Sequence, residues 1–201
     1  MSRTRQKRGA ARALETGPKL RERPRTQAGR EIVSSIVTAA ALLLDRDGIE
    51  GLSTNLVARV AGVSVGSLYK YFPNKHSIVA KMARDVYERG LRVAMGAFSA
   101  VRELSIEEGA WIVMGSMADP SMGRLGVRRT LMRDVPRGWI VEAVGQADGM
   151  CVQILAGYFR TRAESVRPLE PYRAAFVLYN AVKAVAETVL MTEPDALTWR
   201  A

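Results

Sequence analysis

A chain of 201 residues, 48% of them hydrophobic, is long enough to bury a real core, and no apolar run in it approaches the roughly eighteen residues of a membrane span. Its formal net charge of +10 is concentrated at one end: residues 1–30 hold ten Lys and Arg against Glu15 and Glu22, whereas the remainder holds twenty against eighteen. One cysteine, Cys151, excludes an internal disulfide and, with one histidine in the chain, the usual zinc sites; no Gly-rich phosphate loop, nucleophile elbow or paired carboxylates appear, so no enzyme, metal or cofactor is expected.

Residues 1–27 read as a basic disordered arm. They carry Gly9, Gly17, Pro18 and Pro24 with almost no apolar side chains, too little to fold alone, and their cations would add salt-sensitive, sequence-independent affinity for phosphates. No apolar stretch resembling a signal peptide is present, which fits the cytoplasm. A helix follows from Ala28 to Leu44 with Ile32, Ile36, Ala40 and Leu43 as its core stripe and Gly48 after its end. Ser53 then caps a short helix on which Leu56, Val57 and Val60 share a face, while small Ala58 allows a close crossing. Gly62 supplies the left-handed turn, Val63 tucks inward and Ser64 caps a second short helix. There Leu68 and Phe72 face the core, Gly66, Ser67 and Lys70 point outward, and Tyr69 and Tyr71 stand on the flanks. Pro73 stops this helix and Asn74 caps the next. Two short helices at a glycine turn form a helix-turn-helix, a motif that reads DNA. Hydroxyls, a lysine and tyrosines stand where an ordinary solvated corner would carry a mixture of Glu and Lys.

The run from Gly62 through Ser64, Gly66, Leu68, Tyr69, Tyr71, Phe72, Asn74 and Lys75, with Ala40 and Gly48 upstream, resembles the DNA-binding domain of the tetracycline-repressor (TetR) family of bacterial regulators. The resemblance spans roughly residues 30 to 80 and implies an all-α fold: a three-helix helix-turn-helix domain over residues 28–73 and a helical ligand-binding and dimerisation domain over 74–201. It implies that Thr54, Ser67, Tyr69 and Lys75 touch phosphates, that Val65, Gly66, Lys70 and Tyr71 lie nearest the base edges, and that Ser64 belongs to the same DNA-facing set. His76 departs from the family, which commonly has an acid there.

Downstream, a long helix is expected from Asn74 toward Ser99, with Ile78, Val79, Met82 and Val86 under the reading head. Ser105 and Glu108 make a capping box for a helix lined by Ile106, Ala110, Met114 and Met117. A weaker helix runs to Pro136, another from Trp139 to about Thr161, and Pro171 opens a last one through Val177, Ala181, Val185 and Val189. Cys151, set among Met150, Val152 and Ile154, is expected to be buried and structural. The resemblance implies a small-molecule cavity in this domain; Trp111, Met114, Met117, Trp139, Met150 and Tyr158 are its lining candidates, although each is more often plain core, and they suggest an apolar or aromatic effector. One reading helix spans few base pairs, so a homodimer on a palindromic operator is expected, paired in the family through its last two helices. The seven residues after Pro194 are too few for the usual final helix, so either that interface is smaller or the helix through Ile140 and Tyr158 takes a larger share of it. The function expected is a ligand-responsive DNA-binding regulator, most simply a repressor released by its effector. The alternative is a helical ligand-binding or nucleoid-associated protein with non-specific DNA affinity.

Overall fold

The computed structural model describes residues 17–100, 105, 108, 115, 123–161 and 170–192, and among these every regular element is helical. In chain order they are α1 (Gln27–Asp47), α2 (Thr54–Ala61), α3 (Val65–Tyr71), α4 (Lys75–Ala100), α5 (Leu125–Asp134), a 3₁₀ turn (Arg137–Trp139), α6 (Val141–Arg160) and α7 (Pro171–Thr192). The described residues divide into two compact units, those up to residue 85 with 126–142 and those from 86 to 125 with those from 143 on, so that the border falls inside α4 and most of α5 joins the helix-turn-helix.

In the first unit, helix boundaries follow local chemistry. Thr26 caps α1 by accepting the Gly29 amide at 3.1 Å, and Ser53 caps α2 by accepting the Leu56 amide at 3.2 Å. α1 buries Val33, Ile36, Ala40, Leu43 and Leu44, with Ile32 half-buried at the edge of the stripe. On α2, Val57 and Ala58 are enclosed, but Val60, expected beside them, is 46% exposed. With 3.6 residues per turn it lies about 110° round from the midpoint of Val57 and Ala58, beside the crossing and not under it. Gly62 adopts φ 67° and ψ 27°, its amide donating to the Arg59 carbonyl at 3.2 Å while the Val63 amide donates to Ala58 at 3.0 Å. A side chain with a Cβ would be strained in that conformation. Asn74 and Ser77 close the start of α4 reciprocally: the Ser77 amide donates to Asn74 Oδ1 at 2.9 Å and the Ser77 hydroxyl to the Asn74 carbonyl at 2.6 Å. Ile78, Val79 and Met82 of α4 are buried in the first unit, to which α5 adds Val127 and Leu131, whereas Val86, expected with them, is half-buried and falls in the second unit.

Residues 17–26, expected to belong to the disordered arm, are placed against this unit. Gly17 is buried at φ 65° against Trp139, the Pro18 carbonyl accepts from the Arg84 guanidinium at 3.4 Å, and the Arg21 amide donates to the Tyr71 carbonyl at 2.8 Å. Composition alone missed this because the anchors come from α3, α4 and the 3₁₀ turn. Residues 1–16 lie outside the described residues.

The second unit packs α6 against α7 around Val152, Leu155, Ala156, Phe159 and Ala175, with Tyr158 and Ala94 against the cluster. Cys151 is buried and free, as expected, and burial pushes its thiol above the ordinary range. Beside it Asp148 accepts from the Tyr179 hydroxyl at 2.7 Å and from the Lys183 ammonium at 2.6 Å, a polar clamp between the two helices. Burial first, then the bond to Asp148, holds the Tyr179 phenol far above its usual pKa. By length and composition alone, with mean hydropathies of 1.2 and 1.4, α1 and α7 are long and apolar enough to cross a membrane, although neither is an unbroken apolar run. α1 spends that apolar surface on the head core; α7 buries Ala175, Ala186 and Leu190 but leaves Phe176, Val177 and Val185 more than half exposed. The Ser105–Glu108 capping box is formed, with the Ser105 amide donating to Glu108 at 2.9 Å; most of the helix expected after it lies outside the described residues.

Candidate nucleic-acid interface

Between Gly51 and Lys75 the chain has no acid, against Arg59, Lys70 and Lys75. The helix-turn-helix therefore offers a surface of one sign, suited to a polyanion. Within it α3 has seven residues, and its core side consumes Leu68 and Tyr71, with Phe72 just beyond, all buried. Val65, Gly66, Tyr69 and Lys70 remain exposed, with Ser67 half-exposed.

Hydroxyl chemistry on this face is ordered by hydrogen bonds. Ser64 Oγ accepts the Ser67 amide at 3.0 Å and donates its own proton to Ser67 Oγ at 2.8 Å. Ser67 thus already receives a donor, and its own hydroxyl proton is left for an outside acceptor such as a phosphate oxygen. Thr54 Oγ1 lies 2.9 Å from Tyr69 Oη, joining the start of α2 to α3; whichever donates, one proton of the pair is left over for a ligand. The Lys70 ammonium sits 5.5 Å from the Tyr71 ring centroid, where cation–π attraction steadies it without removing it from solvent.

Two of the expected contacts need restating. Tyr71, expected near the base edges, is only 4% exposed, and its hydroxyl lies close to Gly29 of α1. Three residues after Leu68 it falls within about 60° of that core position, so the ring packs inward and cannot read a groove. Lys75 is half-buried, its ammonium donating to the Ile49 carbonyl at 3.2 Å and lying 3.5 Å from Glu50. Its charge braces the loop between α1 and α2. Gly66 is open: a Cβ there would meet nothing nearer than Ser64 Oγ at 3.9 Å.

The effector candidates are dispersed. Trp111, Met114 and Met117 lie outside the described residues. Trp139 belongs to the first unit, edge-on to His76 at 5.5 Å and covering Gly17, and Met150 is 45% exposed on α6. Tyr158 is the candidate that packs on the apolar cluster of the second unit. Among the described residues no group of three His, Cys, Asp or Glu side chains could hold a metal ion.

Residues 36–82 match the family described as bacterial regulatory proteins, tetR family. The chain is 27% identical over 134 residues to the HTH-type transcriptional repressor DrrR1 of Streptomyces coeruleorubidus, covering 58% of this chain and 50% of that protein. It is 38% identical over 65 residues to the HTH-type transcriptional repressor KstR of Rhodococcus jostii (strain RHA1), covering 32% of this chain and 30% of the other. Across the curated relatives that it matches, the chain spans between about a quarter and a half of their length. Among solved structures it resembles the fatty acid degradation regulator FadR from Bacillus halodurans, with a TM-score of 0.59 at 17% identity over 83% of this chain and 92% of that one.

Proposed function

We propose that the chain, whose residues 36–82 match the tetR family of bacterial regulatory proteins, is a cytoplasmic, ligand-responsive repressor that reads a palindromic operator as a homodimer. The observation that carries this reading is the acid-free face of α3, where Ser67, Tyr69 and Lys70 stand in solvent with donors left over after their internal bonds. Phosphates would be held by Thr54, Ser67 and Tyr69, and base edges would meet Val65, Gly66 and Lys70. Lys75 would act through the loop it braces, and Ser64 by aiming Ser67.

The homodimer is supported by a stripe on α7 opposite its buried residues, where Val177 and Val185, about 80° apart round the helix, are both more than half exposed and flank the small Ala181. An apolar or aromatic effector fits residues 74–201, where Tyr158 packs on the second core. Its occupancy would act on the head along α4, a single helix that both units share.

The test is selection of duplexes by the full chain from a random library. A palindrome should be enriched, and Lys70→Ala should relax preference at one base pair per half-site while leaving affinity for random duplex nearly unchanged. Recovery of no preferred sequence would favour the alternative, a nucleoid-associated protein without sequence preference.

A further inference from the structure

We propose that residues 17–26 are a second DNA-contacting element, a strap clipped to the C-terminal end of α3 that holds Arg23 and Arg25 against the duplex backbone flanking the groove α3 enters. The inference rests on the DNA-reading function proposed above and adds a distinct contact to it.

The strap is fixed at three places. At its start Gly17 sits where a Cβ would lie 2.5 Å from the Trp139 α-carbon and 2.7 Å from its carbonyl oxygen, contacts with backbone that cannot yield. One residue on, the Pro18 carbonyl accepts from Arg84 at 3.4 Å. At Arg21 the main-chain amide donates to the Tyr71 carbonyl at 2.8 Å, and the guanidinium approaches the Tyr69 carbonyl at 3.5 Å. Carbonyls in the last turn of a helix lack intrahelical donors, so the strap supplies what the end of α3 needs. Beyond this clip the segment runs directly into the cap at Thr26 and into α1.

Apart from the Arg21 guanidinium at the Tyr69 carbonyl, the strap's cations make no side-chain hydrogen bond among the described residues. Lys19, Arg21, Glu22, Arg23 and Arg25 are all exposed, four cations to one acid. Among the described residues, none of the four cations is paired with a carboxylate. Solubility would not require three anchors. Ordering a segment costs conformational entropy, and ordering one that carries unpaired arginines beside a reading helix lowers what remains to be lost when a phosphate is bound. A loose tail of equal charge would release counterions equally well but would hold no fixed place relative to α3.

The experiment uses the full chain, a duplex recovered by selection and a random-sequence duplex, with affinity measured across salt concentration and footprints taken on the selected site. Arg23→Gln with Arg25→Gln should flatten the slope of log affinity against log salt by about 2 per protomer, since each phosphate no longer neutralised removes roughly 0.9 from it. Gly17→Ala changes no charge but unclips the strap; it should weaken binding to the selected site about tenfold and lose protection of the flanking backbone. Melting curves establish that both variants fold. An unchanged slope in the arginine variant overturns the proposed backbone contact, and an effect of that variant with none from Gly17→Ala overturns the clip, leaving a loose charged tail. If the unaltered chain selects no site at all, the regulator reading itself fails, an outcome distinct from either.

Discussion

Ser67 owes its outward proton to Ser64, whose hydroxyl both caps α3 and donates to Ser67 Oγ. Ser64→Asp keeps the cap acceptor but loses the donor and brings an anion to the DNA face. The expected result is a melting temperature close to that of the parent with loss of duplex binding; binding that survives would sink the assigned role. Tyr71 behaves in the opposite way. Its ring is enclosed, so Tyr71→Ala should destabilise the head by about 3 kcal/mol, read by urea unfolding, and weaken binding to every DNA sequence alike. Caps and turn residues were legible because Ser53, Ser64, Gly62 and Asn74 act on neighbours a few positions away. The inward turn of Tyr71 was legible too, in its spacing from Leu68, but the family resemblance, which sets it at the base edges, outweighed that signal.

At the scale of the helix, the pairing of α6 with α7 combines an apolar cluster with the Asp148, Tyr179 and Lys183 clamp. Because the folded-state pKa of Tyr179 is raised, the stability it confers is complete below the unfolded value of about 10. Above that, the unfolded chain releases the proton and the folded chain holds it, so stability falls as pH rises. Alkaline unfolding followed by circular dichroism should therefore show a limb beginning near that pH, flatter in Tyr179→Phe; equal limbs would show that the phenol is not coupled to folding. The helix spacing through Ala147, Cys151 and Ile154 was readable from the sequence, and α6 forms there. The clamp was not, because its partners lie 31 and 35 positions apart and nothing local marks them.

For the whole molecule, the two helices flanking the Gly62 turn follow from periodicity and capping, whereas the division into two units was only what the family resemblance implied. The strap followed from neither, since Gly17 is ordered by Trp139, which only the folded chain brings near. The stripe on α7 was half-legible: its spacing gave a helix, but Val177 and Val185 lie outside the cluster that buries Ala175. Val177→Asp with Val185→Asp should leave helix content intact and convert the chain to a monomer in sedimentation, with selected-site affinity reduced to the random-duplex level. A dimer that persists would move the interface elsewhere. If that stripe is what brings two copies together, the chain also acts as a counter of its own abundance: while copies are scarce, occupied operator rises with the square of concentration. A modest dip in synthesis would then free the regulated promoter more sharply than dilution of a one-copy binder could, and that steepness would be set by an apolar face far from any base pair.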